Sequence, residues 1–134
     1  MTAHDDDERG PGPLDAMSVA PDHHRVLLEN DRVRVLDTHL APGDTTPVHE
    51  HAWPAVLHVL GWSDSVRIDR DGKILLDSRA AGMHPESGAI LWGSPLPPHA
   101  VRNVGTRELH VIAIEIKASP QTVAYSTLPG NPKP

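Results

Sequence analysis

The chain has no cysteine, no phenylalanine, a single tyrosine and no hydrophobic run long enough to span a membrane. Without cysteine there is no disulfide, no thiolate nucleophile and no sulfur ligand, so any metal site must use histidine and carboxylate side chains. Without phenylalanine, the core must take its volume from valine, leucine, isoleucine and the three tryptophans. These absences direct attention to the ten histidines.

Positive charge is also scarce, because 12 lysines and arginines stand against 18 aspartates and glutamates, for a formal net charge of -6. The basic residues form no cluster, so the chain lacks the positive surface that attracts a phosphate backbone, and we expect no nucleic-acid partner. Residues 1–12 lack the basic start and apolar segment of a signal peptide. We therefore expect a cytoplasmic protein without a membrane partner.

The length of 134 residues is that of one domain. Residues 1–21 combine an acidic run with four prolines and glycines in a row and a further proline, a composition that predicts a flexible N-terminal arm. Residues 22–120 carry the regular hydrophobic pattern and are predicted to form the folded domain. Residues 121–134 end in a proline-rich stretch and are predicted to form an extended C-terminal tail.

Within the predicted domain the hydrophobic pattern has a period of two and is short in range, which is typical of β-strands. The 14 prolines and 10 glycines also disfavour long helices. The predicted strands cover residues 25–28, 33–40, 48–51, 55–60, 65–69, 73–76, 89–92, 99–104 and 109–117, and residues 94–98 are predicted to form a loop. About eight or nine short strands separated by tight turns indicate an all-β sandwich or barrel.

The last predicted strand, residues 109–117, is apolar on both faces. We expect Leu109, Val111 and Ala113 on its outer face, where they could form an association surface. Ile112 is expected in the interior, and His110 on the same side as a hydrogen-bonded core or pocket residue. This assignment makes the predicted pocket largely apolar.

Two histidines stand one residue apart in the segment 43–51. Because alternate residues of a strand project from the same face, the imidazoles of His49 and His51 can reach one ion without backbone distortion. An H-x-H pair also arises by chance in a histidine-rich chain, so the pair alone is weak support for a metal site. A third ligand from another segment is needed.

Residues 88–103 offer that ligand, because His99 follows a turn glycine by eleven residues and is followed four residues later by an asparagine. Together the two segments resemble the paired signatures of the cupin superfamily, G-x5-H-x-H-x3,4-E-x6-G and G-x5-P-x-G-x2-H-x3-N. The matching positions are Gly43, His49, His51, Gly88, His99 and Asn103. The resemblance extends over residues 24–118 and is similar to compact bacterial cupins that carry an E-N-D-R-V-R-V segment, here residues 29–35. It implies a cupin-like double-stranded β-helix, a jelly-roll barrel, and a homodimer.

The sequence departs from these signatures at two places. The family's glutamate ligand would fall at Ala55 or Val56, neither of which can coordinate, and the P-x-G of the second signature is replaced by residues 94–96. The resemblance therefore implies a three-histidine site, as in some cupin-like iron oxygenases, for Fe, Zn, Mn or Ni. Neutral imidazoles would leave the ion its full charge, which favours anionic substrates. A barrel that has lost its metal, with the imidazoles bonded to each other and to water, is the alternative.

The remaining histidines and the tryptophans are weaker candidates. Alternation places His58 opposite the lost glutamate unless a bulge changes the parity. His39 and His84 have no clear partner, and His4, His23 and His24 lie in or beside the predicted arm, so we expect all five to be exposed to solvent. The tryptophans are better explained by packing or an interface than by ligand binding. The residues expected to line the pocket are Trp53, Leu57, His58, Trp92, Val101 and His110.

The sequence-based hypothesis is a small metalloprotein with one divalent ion on His49, His51 and His99, acting on a small organic molecule by a dioxygenase-like or isomerase-like reaction. The pattern identifies no catalytic base. One alternative is a non-catalytic small-molecule binding or sensor barrel, with or without metal. Another is an accessory subunit that acts by association through a strand edge or an apolar outer face.

Overall fold

A computed structural model describes residues 11–117, and these contain nine strands and two short helices. The strands are β1 (His24–Glu29), β2 (Val33–Leu40), β3 (His49–His51), β4 (Ala55–Gly61), β5 (Ser65–Ile68), β6 (Ile74–Asp77), β7 (Ile90–Gly93), β8 (Leu96–Asn103) and β9 (Leu109–Ile116). The helices are α1 (Ala16–Val19) and α2 (Ser78–Ala81). Neither helix of this described part is long and apolar enough to cross a membrane.

The strands form two sheets in which every named strand pairing is antiparallel. One sheet has five strands in the order β1-β2-β9-β4-β7, and the other has four in the order β3-β8-β5-β6. Strands that are distant in sequence, such as β2 and β9, are therefore neighbours, as in a jelly roll. The predicted all-β class and double-stranded β-helix architecture are confirmed.

Two signature glycines and the signature asparagine hold turns of the barrel. Gly43 and Gly88 have φ angles of 81° and 92°, a left-handed conformation that glycine adopts without steric cost. The buried amide of Asn103 donates to the carbonyl oxygens of Leu40 and Arg107. Its Oδ1 accepts from the Ser63 hydroxyl and from the backbone N–H of residue 105. Asn103, the asparagine of the second signature, therefore links three connections between strands.

Strand register places the faces of β9 opposite to the sequence-based expectation. Leu36 on β2 is fully buried and pairs with Ala113, so Leu109, Val111 and Ala113 face the interior. His110 and Ile112 lie on the outer face. Both faces of β9 are apolar, so hydrophobic alternation could not choose between them, and the pairing with β2 decides the parity.

Strand β8 begins at Leu96, so the loop predicted for residues 94–98 is wrong over its last three residues. Proline cannot donate a ladder hydrogen bond, which made residues 97–98 look like a break in the strand. The short strand β3 needs few bonds here, because its partners on β8 are His99 for His49 and Leu96 for His51. The prolines are tolerated where the ladder is irregular.

Residues 11–21, assigned by composition to the flexible arm, pack against the barrel. Ala16 and Ala20 are buried, and Asp15 caps α1 by accepting a hydrogen bond from the backbone N–H of Met17. The carboxylate of Asp15 also makes two hydrogen bonds to the guanidinium of Arg34 on β2. That long-range partner anchors the segment, and composition cannot reveal it. Residues 1–10 of the predicted arm and the predicted tail, residues 121–134, lie outside the described residues.

Candidate metal centre

A cavity of about 160 Å³ lies between the two sheets. Its apolar wall consists of Leu40, Trp53, Ala55, Leu57, Leu96, Val101, Leu109, Val111 and Ala113. Four histidines also line it: His24, His49, His51 and His99. The sequence-based site residues therefore share the cavity with a fourth histidine.

The two sequence segments that carry the predicted ligands meet through strand pairing. His49 on β3 pairs directly with His99 on β8, and their ring centroids are 4.5 Å apart. The ring of His51 lies 5.0 Å from that of His49 and 5.5 Å from that of His99. The structure thus places these three imidazoles next to one another inside the barrel.

His24 was expected to be exposed to solvent, and this expectation is wrong. His24 is only 4% exposed. It is the first residue of β1, where it pairs with Thr38 and its side chain points into the barrel. Its ring centroid lies 5.1 Å from that of His49 and 5.7 Å from that of His51. His24, His49 and His51 each offer a ligand nitrogen within 4.8 Å of those of the other two, and this group contains His24 where the sequence predicted His99. The alternation of His24 with Val26 was the available sequence signal.

Each of the four imidazoles uses Nδ1 for a hydrogen bond to an oxygen. Nδ1 of His49 lies 2.8 Å from the carbonyl of Pro47, and Nδ1 of His99 lies 2.7 Å from that of Pro97. Nδ1 of His24 lies 3.0 Å from the carbonyl of Ala20. A carbonyl can only accept, so these three Nδ1 atoms carry the proton and each Nε2 keeps its lone pair.

The fourth imidazole, that of His51, is oriented by a carboxylate. Its Nδ1 lies 3.3 Å from Oε2 of Glu115, which is 1% exposed. The other oxygen of Glu115 accepts a 2.6 Å hydrogen bond from Nε of Arg34, whose terminal nitrogens bind Asp15. The result is a chain from the half-buried His51 through the buried Glu115 and Arg34 to Asp15. Carboxylates behind a metal-binding histidine fix its orientation and raise its basicity.

Glu115 lies next to the position where the cupin signature has its glutamate ligand. Ala55, at that position on β4, pairs with Glu115 on β9. Sequence reasoning missed Glu115 because it stands in a strand read as apolar, 64 residues after His51. Both oxygens of Glu115 are already bound by Arg34 and His51. The groups left to coordinate a metal are therefore imidazole nitrogens.

Burial keeps three of the histidines neutral at physiological pH. Desolvation lowers the pKa of His49 to about 3, and it lowers the pKa of His24 and of His99 to about 4. Neighbouring imidazoles lower these pKa values further, and the guanidinium of Arg67 contributes to the lowering at His99. Neutral imidazole is the form that coordinates a metal.

The donor set fits a divalent transition ion. Neutral imidazoles suit zinc, iron, nickel and copper, whereas magnesium and calcium prefer oxygen ligands. Among the bonds within residues 11–117, none engages Nε2 of His24, His49, His51 or His99. The cluster therefore offers nitrogen lone pairs in one buried place.

The other residues expected to line the pocket divide between the two faces of the sheet. Trp53, Leu57 and Val101 line the cavity. Trp92 and His58 lie on the outer face of the five-stranded sheet, because Trp92 pairs with Val56 and His58 pairs with the outward-facing Ile112. Trp92 is 61% exposed. Their exclusion from the cavity follows from strand alternation.

His110 also lies outside the cavity, in a separate polar cluster on the outer face. Its Nε2 lies 2.6 Å from Oδ1 of Asp37, and its ring stacks on that of His39 with a centroid distance of 3.8 Å. His39 contacts the other oxygen of Asp37 at 3.2 Å. The expectation that His110 is hydrogen-bonded is met by Asp37, but its partner is on the outside of the sheet.

Comparison with solved structures places this architecture among the cupins. A cupin domain from Bordetella pertussis Tohama I matches with a TM-score of 0.55 and 23% identity, over 71% of this chain and 92% of that one. An RmlC-like cupin family protein from Methanocaldococcus jannaschii matches with a TM-score of 0.50 and 13% identity, over 75% of this chain and 84% of that one. No protein-family model and no curated protein matches this chain. At this identity the likeness concerns architecture: the chain has the double-stranded β-helix fold of the cupins.

Proposed function

We propose that this protein binds one divalent transition metal through His49, His51 and His99, with His24 as a fourth nitrogen ligand, and that it acts on a small organic molecule. The observation that carries the proposal is the convergence of four imidazoles, three of them buried, whose Nδ1 atoms are all hydrogen-bonded to oxygen. This arrangement leaves four Nε2 lone pairs in one cavity. Histidines that ligate metals typically donate their other ring N–H to a carbonyl or carboxylate oxygen in this way.

The protein's own residues prepare the site in two ways. Glu115 holds the ring of His51 and keeps its Nε2 free for coordination. The apolar wall, including Leu57 and Val111, limits the water that can surround a bound molecule. A bound ion would supply Lewis-acid polarisation or, with a redox-active metal such as iron, oxygen chemistry. The cavity of about 160 Å³ restricts the partner to a small molecule.

Within that proposal, a dioxygenase-like or isomerase-like reaction remains the preferred activity. The specific support is the electrostatics of an all-nitrogen ligand set, which leaves the ion its full positive charge. Such an ion stabilises negative charge that develops on a carbonyl or enolate oxygen. Oxygen uptake or isomer interconversion that depends on metal loading and on His51 would support an enzyme.

A non-catalytic binding or sensor barrel is the second candidate. Glu115 is the only carboxylate among the described residues that line the cavity, and Arg34 and His51 already occupy it. A free general base is therefore lacking in the described wall, which favours binding without turnover. Metal-loaded protein that binds a small molecule and leaves it chemically unchanged would support this function.

The metal site is tested by purifying the full chain without chelators and measuring bound metals by elemental analysis. The stripped protein is then titrated with Zn²⁺ and Co²⁺. We expect one ion per chain in the wild type and a loss of about 100-fold or more in affinity for His51→Ala. His58→Ala is the matched control, because His58 lies on the outer face of β4. Unchanged metal affinity in His51→Ala would refute the site.

The fourth ligand has its own test. If His24 coordinates the ion, His24→Ala lowers metal affinity and changes the visible spectrum of the Co²⁺-loaded protein, because the ligand number changes. If His24 only packs beside the site, both readings stay at the wild-type values. The second result would reduce the proposed ligand set to His49, His51 and His99.

We also propose a homodimer that associates through the outer face of the five-stranded sheet. On its edge strand β7, Ile90 and Trp92 are 62% and 61% exposed, and Ile116 on β9 is 39% exposed. Exposed large apolar side chains on one sheet face are typical of an interface. Sedimentation should give a dimer for the wild type and a shift to monomer for Trp92→Ser. A wild type that stays monomeric when its concentration in the sedimentation experiment is raised by about 100-fold would contradict this assembly.

A further inference from the structure

Arg67 is a half-buried positive charge that has no partner among residues 11–117. It lies on β5, where it pairs with the cavity-lining Val101, and its own side chain lines the same cavity. Its Nε atom is buried and has no hydrogen-bond partner, and no ion pair joins it to another residue of 11–117. Burial alone lowers the pKa of this guanidinium, although arginine stays protonated in proteins. Holding a charge partly out of water without a counter-charge costs stability.

Every other charge in the described wall of the cavity is accounted for. The carboxylate of Glu115 binds Arg34 and His51, and Arg34 in turn binds Asp15. His24, His49 and His99 each donate Nδ1–H to a backbone carbonyl, so no carboxylate of the described wall faces Arg67 through them. The cavity therefore presents one uncompensated positive side chain in an apolar surrounding.

We infer that Arg67 is the anchor for a carboxylate group of the small molecule that occupies this cavity. The inference rests on the proposed function for the location of the substrate, but it requires no metal for binding. A planar guanidinium binds a carboxylate through two parallel N–H···O hydrogen bonds, and these hydrogen bonds are stronger in a site with little water. The ligand's charge supplies the partner that the protein does not.

The strand register relates this anchor to the histidine cluster. Arg67 pairs with Val101, which lies two residues from His99 on the same face of β8. Two residues along a strand span about 7 Å. A short organic acid bound by its carboxylate to Arg67 would therefore extend along the apolar wall towards the Nε2 atoms. This places a reactive carbon of the ligand, and not its carboxylate, nearest the proposed metal.

The ligand class follows from the number and kind of donors. A phosphate dianion needs several donors or a second positive charge, and the wall offers a single free guanidinium beside mainly apolar side chains. A carboxylate has one charge and two oxygens, which one guanidinium can satisfy. A cavity of this size holds a body of about six carbon atoms, since an apolar cavity of about 150 Å³ takes up benzene.

The test uses benzoate, its neutral analogue benzamide and inorganic phosphate, titrated calorimetrically into metal-free full-length protein at pH 7. We expect benzoate to bind the wild type at least about tenfold more tightly than benzamide or phosphate. Arg67→Gln should lose about tenfold or more in benzoate affinity and keep its benzamide affinity. Arg70→Gln is the matched control, since Arg70 is exposed in the turn after β5.

A second measurement needs no variant. In ¹⁵N-labelled wild type, benzoate should shift the Arg67 Nε–H resonance, while benzamide should leave it in place. Absence of benzoate binding, equal affinity in Arg67→Gln, an unmoved Nε–H resonance, or phosphate binding as tight as benzoate would each overturn the inference. Any of these results with intact metal binding would leave the proposed metal site standing. Benzoate binding that depends on Arg67 in a protein that takes up no metal would support the anchor and refute the metal site.

Discussion

Acid should unfold the metal-free protein through its buried histidines. In the unfolded chain these imidazoles titrate near pH 6.5, whereas burial holds the pKa of His49 at about 3 and those of His24 and His99 at about 4 in the fold. Between these values the unfolded state binds protons that the folded state does not. Stability is therefore complete above pH 6.5 and is lost as the pH falls towards 4.

The magnitude follows from proton counting. With three more protons bound in the unfolded state, the free energy of unfolding falls by about 4 kcal/mol for each pH unit between about pH 6 and pH 4.5. At pH 5 each imidazole has cost about 2 kcal/mol relative to pH 8, or about 6 kcal/mol in total. This is a large part of the 5–15 kcal/mol that stabilises a typical domain. The pKa values of four aspartates are lowered from 3.8, so their carboxylates titrate below this window: Asp15, Asp37, Asp44 and Asp64.

The assay is urea unfolding followed by circular dichroism, at half-unit intervals from pH 8 to pH 4.5, with a chelator present throughout. The variant His49→Gln removes one titrating group, so the slope of unfolding free energy against pH should fall by about one third whatever its effect on absolute stability. A slope near zero between pH 6 and pH 5 in the wild type would refute the burial argument. A slope in His49→Gln equal to that of the wild type would refute the role of His49.

Three further predictions concern single side chains. Glu115→Gln should weaken metal affinity by about 10- to 100-fold in a competition with a chelator, because His51 loses its anionic partner. An affinity equal to that of the wild type would contradict this role of Glu115. Asn103→Ala should lower the free energy of unfolding by about 3 kcal/mol in urea titrations, since four hydrogen bonds of a fully buried amide are lost. A decrease below about 1 kcal/mol would argue against the role of Asn103 in the turns. Arg67→Met should raise the melting temperature, because a half-buried charge with a buried, unpartnered Nε is removed. A destabilised variant would indicate that Arg67 has a partner within the protein.

Local sequence patterns recovered the strands because their causes are local. Alternation and turn glycines predicted most strand positions, and the spacing of His49 and His51 placed both imidazoles on one face before any tertiary contact was known. The second signature added His99, since its distance from Gly88 matched a familiar strand and turn arrangement. These inferences need only the period of a strand and the conformational demands of a turn.

Contacts across strands were missed, and they complete the site. His24, Glu115 and Arg67 line the cavity from three different strands. The pattern placed His24 in or beside the arm and gave no role to Glu115 or Arg67. On β5, hydrophobic alternation favours Val66 and Ile68 as interior residues, yet the pairing with β8 turns Arg67 inward. A polar residue on the interior face violates the pattern, and such violations are typical of functional sites.

The all-β class, the strand periods and the H-x-H pair follow from local sequence, because each depends on residues a few positions apart. Contacts between distant strands determine which face of β9 is interior, bring His24 into the cluster and place Glu115 and Arg34 behind His51. The reason is register: shifting a strand by one residue exchanges its two faces, and the register of each pair is fixed by the packing of the whole barrel. No short segment contains that information.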